Sequence, residues 1–180
     1  RPRPAYRDRR SQPGRPRTAP KKNLFVNKSP EGSEQWLTPW VELKYFTYNP
    51  AVFPRMLGSV SGEIAPGSLV HVYDKNGELF GAGFWNEASR TPLRVVYHGK
   101  DAFTERDLDA ALERAVKLRR EILCLDETTN AYRVLHGDSD GLGGLVVDRY
   151  ADVLSLEVST LAVWQRLDRW PVSYTHLRAH

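Results

Sequence analysis

The residues with most chemistry to offer lie between Tyr132 and Tyr150. There Arg133, Asp138, Asp140, Asp148 and Arg149 are interleaved with glycines, four of which fall within the eight residues from Gly137 to Gly144. Three chemistries could use such a set. A phosphate-cradling loop needs its glycines to lead from a strand into a helix N-terminus, where amide N–H groups converge on the anion. Here they lead into the β-branched run 145–150, which excludes that reading. A calcium loop could start at Asp138 and Asp140, but the next alternate position is Leu142, which has no oxygen to give. A rigid β-hairpin remains, in which Arg133, Asp140, Asp148 and Arg149 pair across the strands and fix the register. Gly141 is expected in a left-handed or otherwise Cβ-intolerant conformation within its loop.

Other reactive side chains are few. Cys124 is the single cysteine, which excludes an internal disulfide and a thiolate zinc site, and it is expected to be a small buried hydrophobe. His176 and His180 have the spacing of a helical metal pair but lack a third ligand, so no metal is expected. No catalytic residue is identified.

The elements that must position these residues fall into two β regions around one helix. The run 40–48 reads as a strand ended by Asn49-Pro50. Runs 68–74 and 78–85 flank Lys75-Asn76-Gly77, where Asn-Gly predicts a type I′ turn with Lys75 opposite Glu78. With a further strand at 93–98, these short strands suggest a small closed β-barrel. From Thr104 the period changes. Leu108, Ala111, Leu112, Ala115, Leu118, Ile122 and Leu123 recur at helical steps, predicting a packing helix over about 104–125, capped by Thr104 with Asp107 and stapled by Phe103 onto Leu108. Strands at 132–136, 145–150 and 153–159 follow, the last two joined by Ala151-Asp152.

The pattern Tyr132-Arg133, then Gly137-Asp138-Ser139-Asp140-Gly141-Leu142, Gly144-Leu145 and Asp148-Arg149-Tyr150 resembles the connecting segment of the large-subunit ribosomal RNA cytosine-5 methyltransferase family. Upstream, Asn49-Pro50-Ala51-Val52-Phe53 and the segment from Gly83 to Ser89 leading to Arg94 resemble that family's barrel, with Asn49, Ala51 and Glu87 departing from its His, Trp and Pro. The resemblance covers about residues 40–165. It implies a mainly β fold with α: a PUA-like barrel (36–100), one packing helix (101–126) and a connecting β-hairpin region (130–165). A Rossmann-type methyltransferase domain binding S-adenosylmethionine would lie beyond the chain, so no cofactor-binding residue is expected within it. The resemblance also implies ribosomal RNA as partner. For that contact the barrel offers Lys44, Arg55, Arg90 and Arg94 beside the aromatics Tyr45, Tyr48, Phe53 and Trp85, a mixture that pairs phosphates and stacks unpaired bases. Tyr45 and Trp85, as strand aromatics, are expected to face inward.

Charge separates the tails from the body. Residues 1–22 hold nine Arg or Lys against the single acid Asp8, leaving the remainder with 17 basic and 21 acidic residues, so the basic character belongs to the start of the chain. Rich in proline and poor in large apolar groups, residues 1–35 are expected to be a disordered basic tail, its cations suited to a phosphate backbone. Residues 166–180 are expected to be a non-native or disordered tail, since 171–180 resembles translated adapter sequence. No apolar run is long enough to cross a bilayer and no signal segment opens the chain, which favours a cytoplasmic protein without membrane contact. Three readings stand: the RNA-holding portion of a methyltransferase, a stand-alone RNA-binding adaptor without catalysis, or a truncated product with no role. Target nucleotide and oligomeric state are open.

Overall fold

A computed structural model describes residues 29–170 of the chain. Six strands, β1 (Trp40–Leu43), β2 (Ala51–Val52), β3 (Leu57–Val60), β4 (Leu69–Tyr73), β5 (Leu79–Trp85) and β6 (Leu93–His98), form one sheet in the order β2-β6-β5-β4-β1-β3. Its edge strands, β2 and β3, are neighbours in the chain, joined by the 3-10 turn Pro54–Met56. Laid flat, five interstrand steps would hold the edges roughly 24 Å apart. The five Cα steps from Val52 to Leu57 reach at most about 18 Å. The sheet must therefore curl, and it does so into a half-barrel around Val41, Leu43, Val52, Val70, Val72 and Trp85. No ladder joins β2 to β3 among the described residues, and only the turn Pro54–Met56 spans the gap between the two edges.

Two local expectations are corrected. The strand predicted over 40–48 stops at Leu43. Beyond it the Lys44 N–H turns to the Met56 carbonyl at 2.8 Å. The Thr47 hydroxyl then accepts the Asn49 N–H at 3.0 Å, and Asn49 Oδ1 accepts the Ala51 N–H at 2.9 Å. Side chains thus satisfy backbone groups that a ladder would otherwise take. Tyr45 leaves the sheet with this segment and is 62% exposed, against the inward expectation, whereas Trp85 is buried as expected. The β4–β5 turn also differs from the predicted type I′. Only Gly77 of its loop residues has a positive φ, and Asp74, not Lys75, faces Glu78, accepting its N–H through Oδ1 at 2.9 Å. A three-residue loop ending in a left-handed glycine results, and Glu78 pairs instead with Lys100 at 2.9 Å.

The helix α1 (Glu105–Lys117) starts where the capping residues place it: the Thr104 N–H and hydroxyl both meet Asp107 Oδ2 at 2.7 Å. Leu108, Ala111, Leu112 and Ala115 are buried, with Phe103 in the same cluster. At Leu118 the helix widens into a π-helical turn, Leu118–Ile122. Wider winding breaks the 3.6-residue period. Ile122 and Leu123, expected on the buried face, point to solvent, and Leu118 is exposed beside them. Cys124 then reverses the chain at φ 48 and is half-buried, not the buried hydrophobe expected. A separate short helix follows, α2 (Leu125–Thr128).

Strands β7 (Ala131–His136), β8 (Leu145–Tyr150) and β9 (Val153–Val158) form an antiparallel sheet in that order. Val134, Leu135, Leu142 and Leu145 bury against α1 and against Ala82 and Phe84 of β5, so β5 is a wall shared by both cores. Along β5 alternate side chains serve opposite sides, Phe84 the second core and Trp85 the barrel. Helix α3 (Leu161–Trp164) and the residues after it close this second core. Trp170 is 2% exposed and donates from Nε1 to Asp109 at 3.1 Å. The Arg166 guanidinium lies 5.0 Å from the Phe84 ring centroid and donates to Glu105 at 2.9 Å. Residues 166–170, expected in a terminal tail, are thus packed against the core. The basic arm 1–22 and the segment holding His176 and His180 lie outside the described residues.

Candidate nucleic-acid interface

Four cations were singled out from the sequence, and the fold treats them differently. Lys44 and Arg55 are close along the backbone: the Lys44 N–H bonds to Met56, directly after Arg55, at the turn joining the edge strands, and both residues are exposed. Arg90 stands exposed in the loop between β5 and β6. Arg94, on β6, is committed elsewhere. Its Nε and Nη2 donate to the two carboxylate oxygens of Asp138 at 3.1 and 2.6 Å. This bidentate pair joins the barrel to the glycine-rich loop and lines an open cavity of about 350 Å³ with His136, Leu145 and Glu157. The loop must run close to it, since a Cβ on Gly143 would lie 2.3 Å from Asp138 Oδ1 and 2.7 Å from Arg94 Nε.

The hairpin residues are placed as follows. Arg133 and Asp148 face each other across β7 and β8 and bond bidentately at 2.8 and 3.1 Å. This hydrogen bond holds the Asp148 carboxyl below its ordinary value. Asp140 and Arg149 do not pair across the strands. Successive residues of a strand face opposite ways, so with Asp148 turned to Arg133 its neighbour Arg149 cannot share that face. Arg149 instead pairs with Asp126 of α2 and lies over the Tyr132 ring. Burial raises the Asp126 pKa, but hydrogen bonds from Tyr132 and Arg120 and the Arg149 charge outweigh it, and the net direction is downward. Asp140 receives Arg119 of the π-helical turn through two bonds, 2.8 and 2.9 Å, and the His136 N–H at 2.6 Å. Gly141 follows at φ 77, the left-handed region.

Sequence reasoning missed the other end of the β5–β6 ladder. Val72 pairs with Gly81 and Tyr73 with Leu79, leaving Phe80 as the extra residue of a bulge. Such bulges re-aim side chains at barrel rims. Phe80 meets Phe46 at 5.1 Å and His98 at 5.2 Å between ring centroids, and Tyr48 lies 4.7 Å from Phe46 and 5.3 Å from His98. Together with Asp74, Glu78 and Lys100 these rings line an open cleft of about 360 Å³. Phe46 and Tyr48 are 65% and 68% exposed. Burial lowers the His98 pKa below its ordinary value, which favours the neutral ring. Only Tyr48 of this set was named beforehand. The available signal was the aromatic density of 45–48 immediately before the Asn49-Pro50 stop.

Among the described residues no group of His, Cys, Asp or Glu has the makings of a metal site, and no helix is long and apolar enough to cross a membrane. A Rossmann-type cofactor site holds its ligand at a glycine-rich turn between a strand and a helix N-terminus. The glycine-rich loop here runs from β7 into β8, which are antiparallel.

The family described as a PUA-like domain matches residues 37–97. The chain is similar to the "Ribosomal RNA large subunit methyltransferase" of Deinococcus radiodurans, 36% identical over 84% of this chain and 36% of that protein. It is also similar to the "Ribosomal RNA large subunit methyltransferase I" of Shewanella amazonensis, 32% identical over 66% of this chain and 30% of the relative. The chain thus spans about a third of the length of the curated relatives it matches. A Streptococcus mutans structure described as a SAM-dependent methyltransferase shares the fold, with a TM-score of 0.57 at 15% identity over 77% of this chain and 38% of its own.

Proposed function

Since the chain contains a PUA-like domain and is homologous over much of its length to ribosomal RNA large subunit methyltransferases, we propose that it is the RNA-holding portion of an S-adenosylmethionine-dependent enzyme that methylates C5 of a cytosine in large-subunit ribosomal RNA. The observation that carries this reading is the relationship spanning 84% of the chain. Exposure is in keeping with it, because Lys44 and Arg55 are exposed beside one barrel turn and Arg90 is exposed on a loop. These three exposed cations position the phosphate backbone, and the basic arm of residues 1–22 adds sequence-independent attraction. Arg94 contributes to the RNA surface only by exchanging Asp138 for a phosphate. The methyl donor belongs to a part of the whole enzyme other than the residues described, and the reaction takes place in the cytoplasm. Arg133, Asp140, Gly141, Asp148 and Arg149 hold the connecting region in shape and touch neither RNA nor cofactor.

The test is the salt dependence of binding to a single-stranded ribosomal RNA segment. Replacing Lys44, Arg55 and Arg90 together by Ala should lower the slope of log K against log salt by about two units, at roughly 0.7 per lost phosphate contact. An unchanged slope would remove these cations from the interface.

A further inference from the structure

We propose that the cleft formed by Phe46, Tyr48, Phe80 and His98 is a stacking site for an unpaired nucleobase of single-stranded RNA. The inference rests on the RNA-binding reading above and adds the chemical form of RNA that the barrel selects. Four observations carry it. Phe46 and Tyr48 leave about two thirds of their surface in water although Phe80 offers them a wall, so their outer surface is unpartnered among the described residues. The rings meet edge-on or tilted, Phe46 to Tyr48 at 88° and Phe80 to His98 at 85°, so these rings are not stacked flat on one another. The bulge at Phe80 aims that ring here, so the cluster is built by the sheet and does not arise from a loop alone.

The rim chemistry is the fourth. Asp74 is consumed by its own turn, accepting N–H groups from Asn76 and Glu78, and Glu78 accepts Lys100. Asp74 is thus fixed by its own turn and Glu78 is balanced by Lys100, so neither rim acid is without a partner. An apolar protein partner would have to bury Asp74, Glu78 and Lys100, and charged groups are depleted from the centres of protein interfaces. A base does not require that. It stacks on the rings while the ribose and phosphate stay in water at the rim. There the exposed Lys100 can trade its surface pair with Glu78, a weak contact, for a phosphate. Stacking uses the π-face that every base has, so the site is tolerant of base identity.

The experiment compares the full chain with its Phe46→Ala/Tyr48→Ala variant, titrating each into fluorescein-labelled single-stranded oligo(A), oligo(U) and a duplex RNA of equal length. Both side chains are exposed, so the variant should fold, as its circular dichroism and melting will show. Loss of one stacked base should weaken both single-stranded RNAs by about tenfold or more, leave the duplex unchanged because its bases are already stacked, and leave the salt slope unchanged. Tyr48→Phe keeps the ring and should bind as the parent does. If the parent binds single strands and the double variant binds them equally well, or loses duplex affinity to the same extent, the cleft is not a base site and the inference falls while the RNA-binding reading stands. If the parent binds none of the three RNAs at low salt, the RNA-binding reading itself falls and takes this inference with it.

Discussion

The two ends of the β5–β6 ladder are finished in opposite ways. At one end Arg94 is clamped by Asp138, a carboxylate from a loop that Gly143 brings against it, and polar side chains answer one another across the junction of barrel and hairpin region. At the other end, where Gly81 pairs with His98, aromatic rings stand open to solvent with none of the described residues packed over them. The first arrangement spends its polar groups on holding two regions together. The second leaves apolar surface uncovered, which in a folded protein marks surface kept for a partner. Substitutions at the closed side should therefore cost stability, and those at the open side should cost binding.

The largest effect is expected at Arg119 and Asp140, the least exposed ion pair described, with side-chain exposures of 14% and 11%. Arg119→Ala leaves Asp140 nearly buried and without its partner. Urea denaturation should show a loss of about 2–4 kcal/mol, and a loss below about 1 kcal/mol would mean that the pair is surface decoration. Gly141→Val should cost about 1–3 kcal/mol through its φ of 77, because the nearest atom to an added Cβ, the Val96 carbonyl oxygen, is 3.7 Å away and leaves room for it. A variant melting like the parent would show that the loop is not conformationally forced.

Asp138→Asn sharpens the comparison more finely. It should lower stability by about 1 kcal/mol and, by releasing Arg94 for a phosphate, raise RNA affinity a few fold. Unchanged affinity would confine Arg94 to the junction. The smallest effect is expected at Asp148→Ala, about 0–1 kcal/mol, since its partner Arg133 is 46% exposed.

A pH prediction belongs to the same closed side. The Arg166 hydrogen bond holds the Glu105 carboxyl below its ordinary value of 4.5, against the upward pull of burial, with Arg169 assisting. A carboxyl depressed in the folded state contributes stability that is fully present above its unfolded value and is lost as pH falls through its folded value. The docking of 161–170 onto α1 should therefore be intact at pH 6 and weaken below about pH 4.5. Near-ultraviolet dichroism of the buried Trp170 would follow it, and Glu105→Gln should abolish that pH dependence.

Local signals located most of this architecture. Thr104 with Asp107 marked the helix start because a capping box is completed within four residues, and the β7–β8 pairing was readable because Arg133 and Asp148 fall opposite each other. Where the sequence misled, the deciding partner was distant. The end of β1 depends on Met56 receiving the Lys44 N–H, and the exposure of Ile122 and Leu123 depends on a change of helical winding that a period of 3.6 does not register. Arg94 reads as a free barrel cation until a residue 44 positions away claims it. The aromatic cleft was hidden for a related reason. Phe46, Phe80 and His98 come from three separate segments, and only the bulge at Phe80 brings them into one site.

The central claim is a division of labour in which these residues hold RNA and the methyl donor is held elsewhere in the enzyme. One calorimetric run tests it directly: the purified chain is titrated with S-adenosylmethionine to millimolar concentration and then, in the same cell, with a short single-stranded ribosomal RNA. The account predicts no saturable heat from the cofactor, followed by a saturable RNA isotherm unaffected by its presence. Micromolar cofactor binding, or an RNA titration without saturable heat, would contradict it.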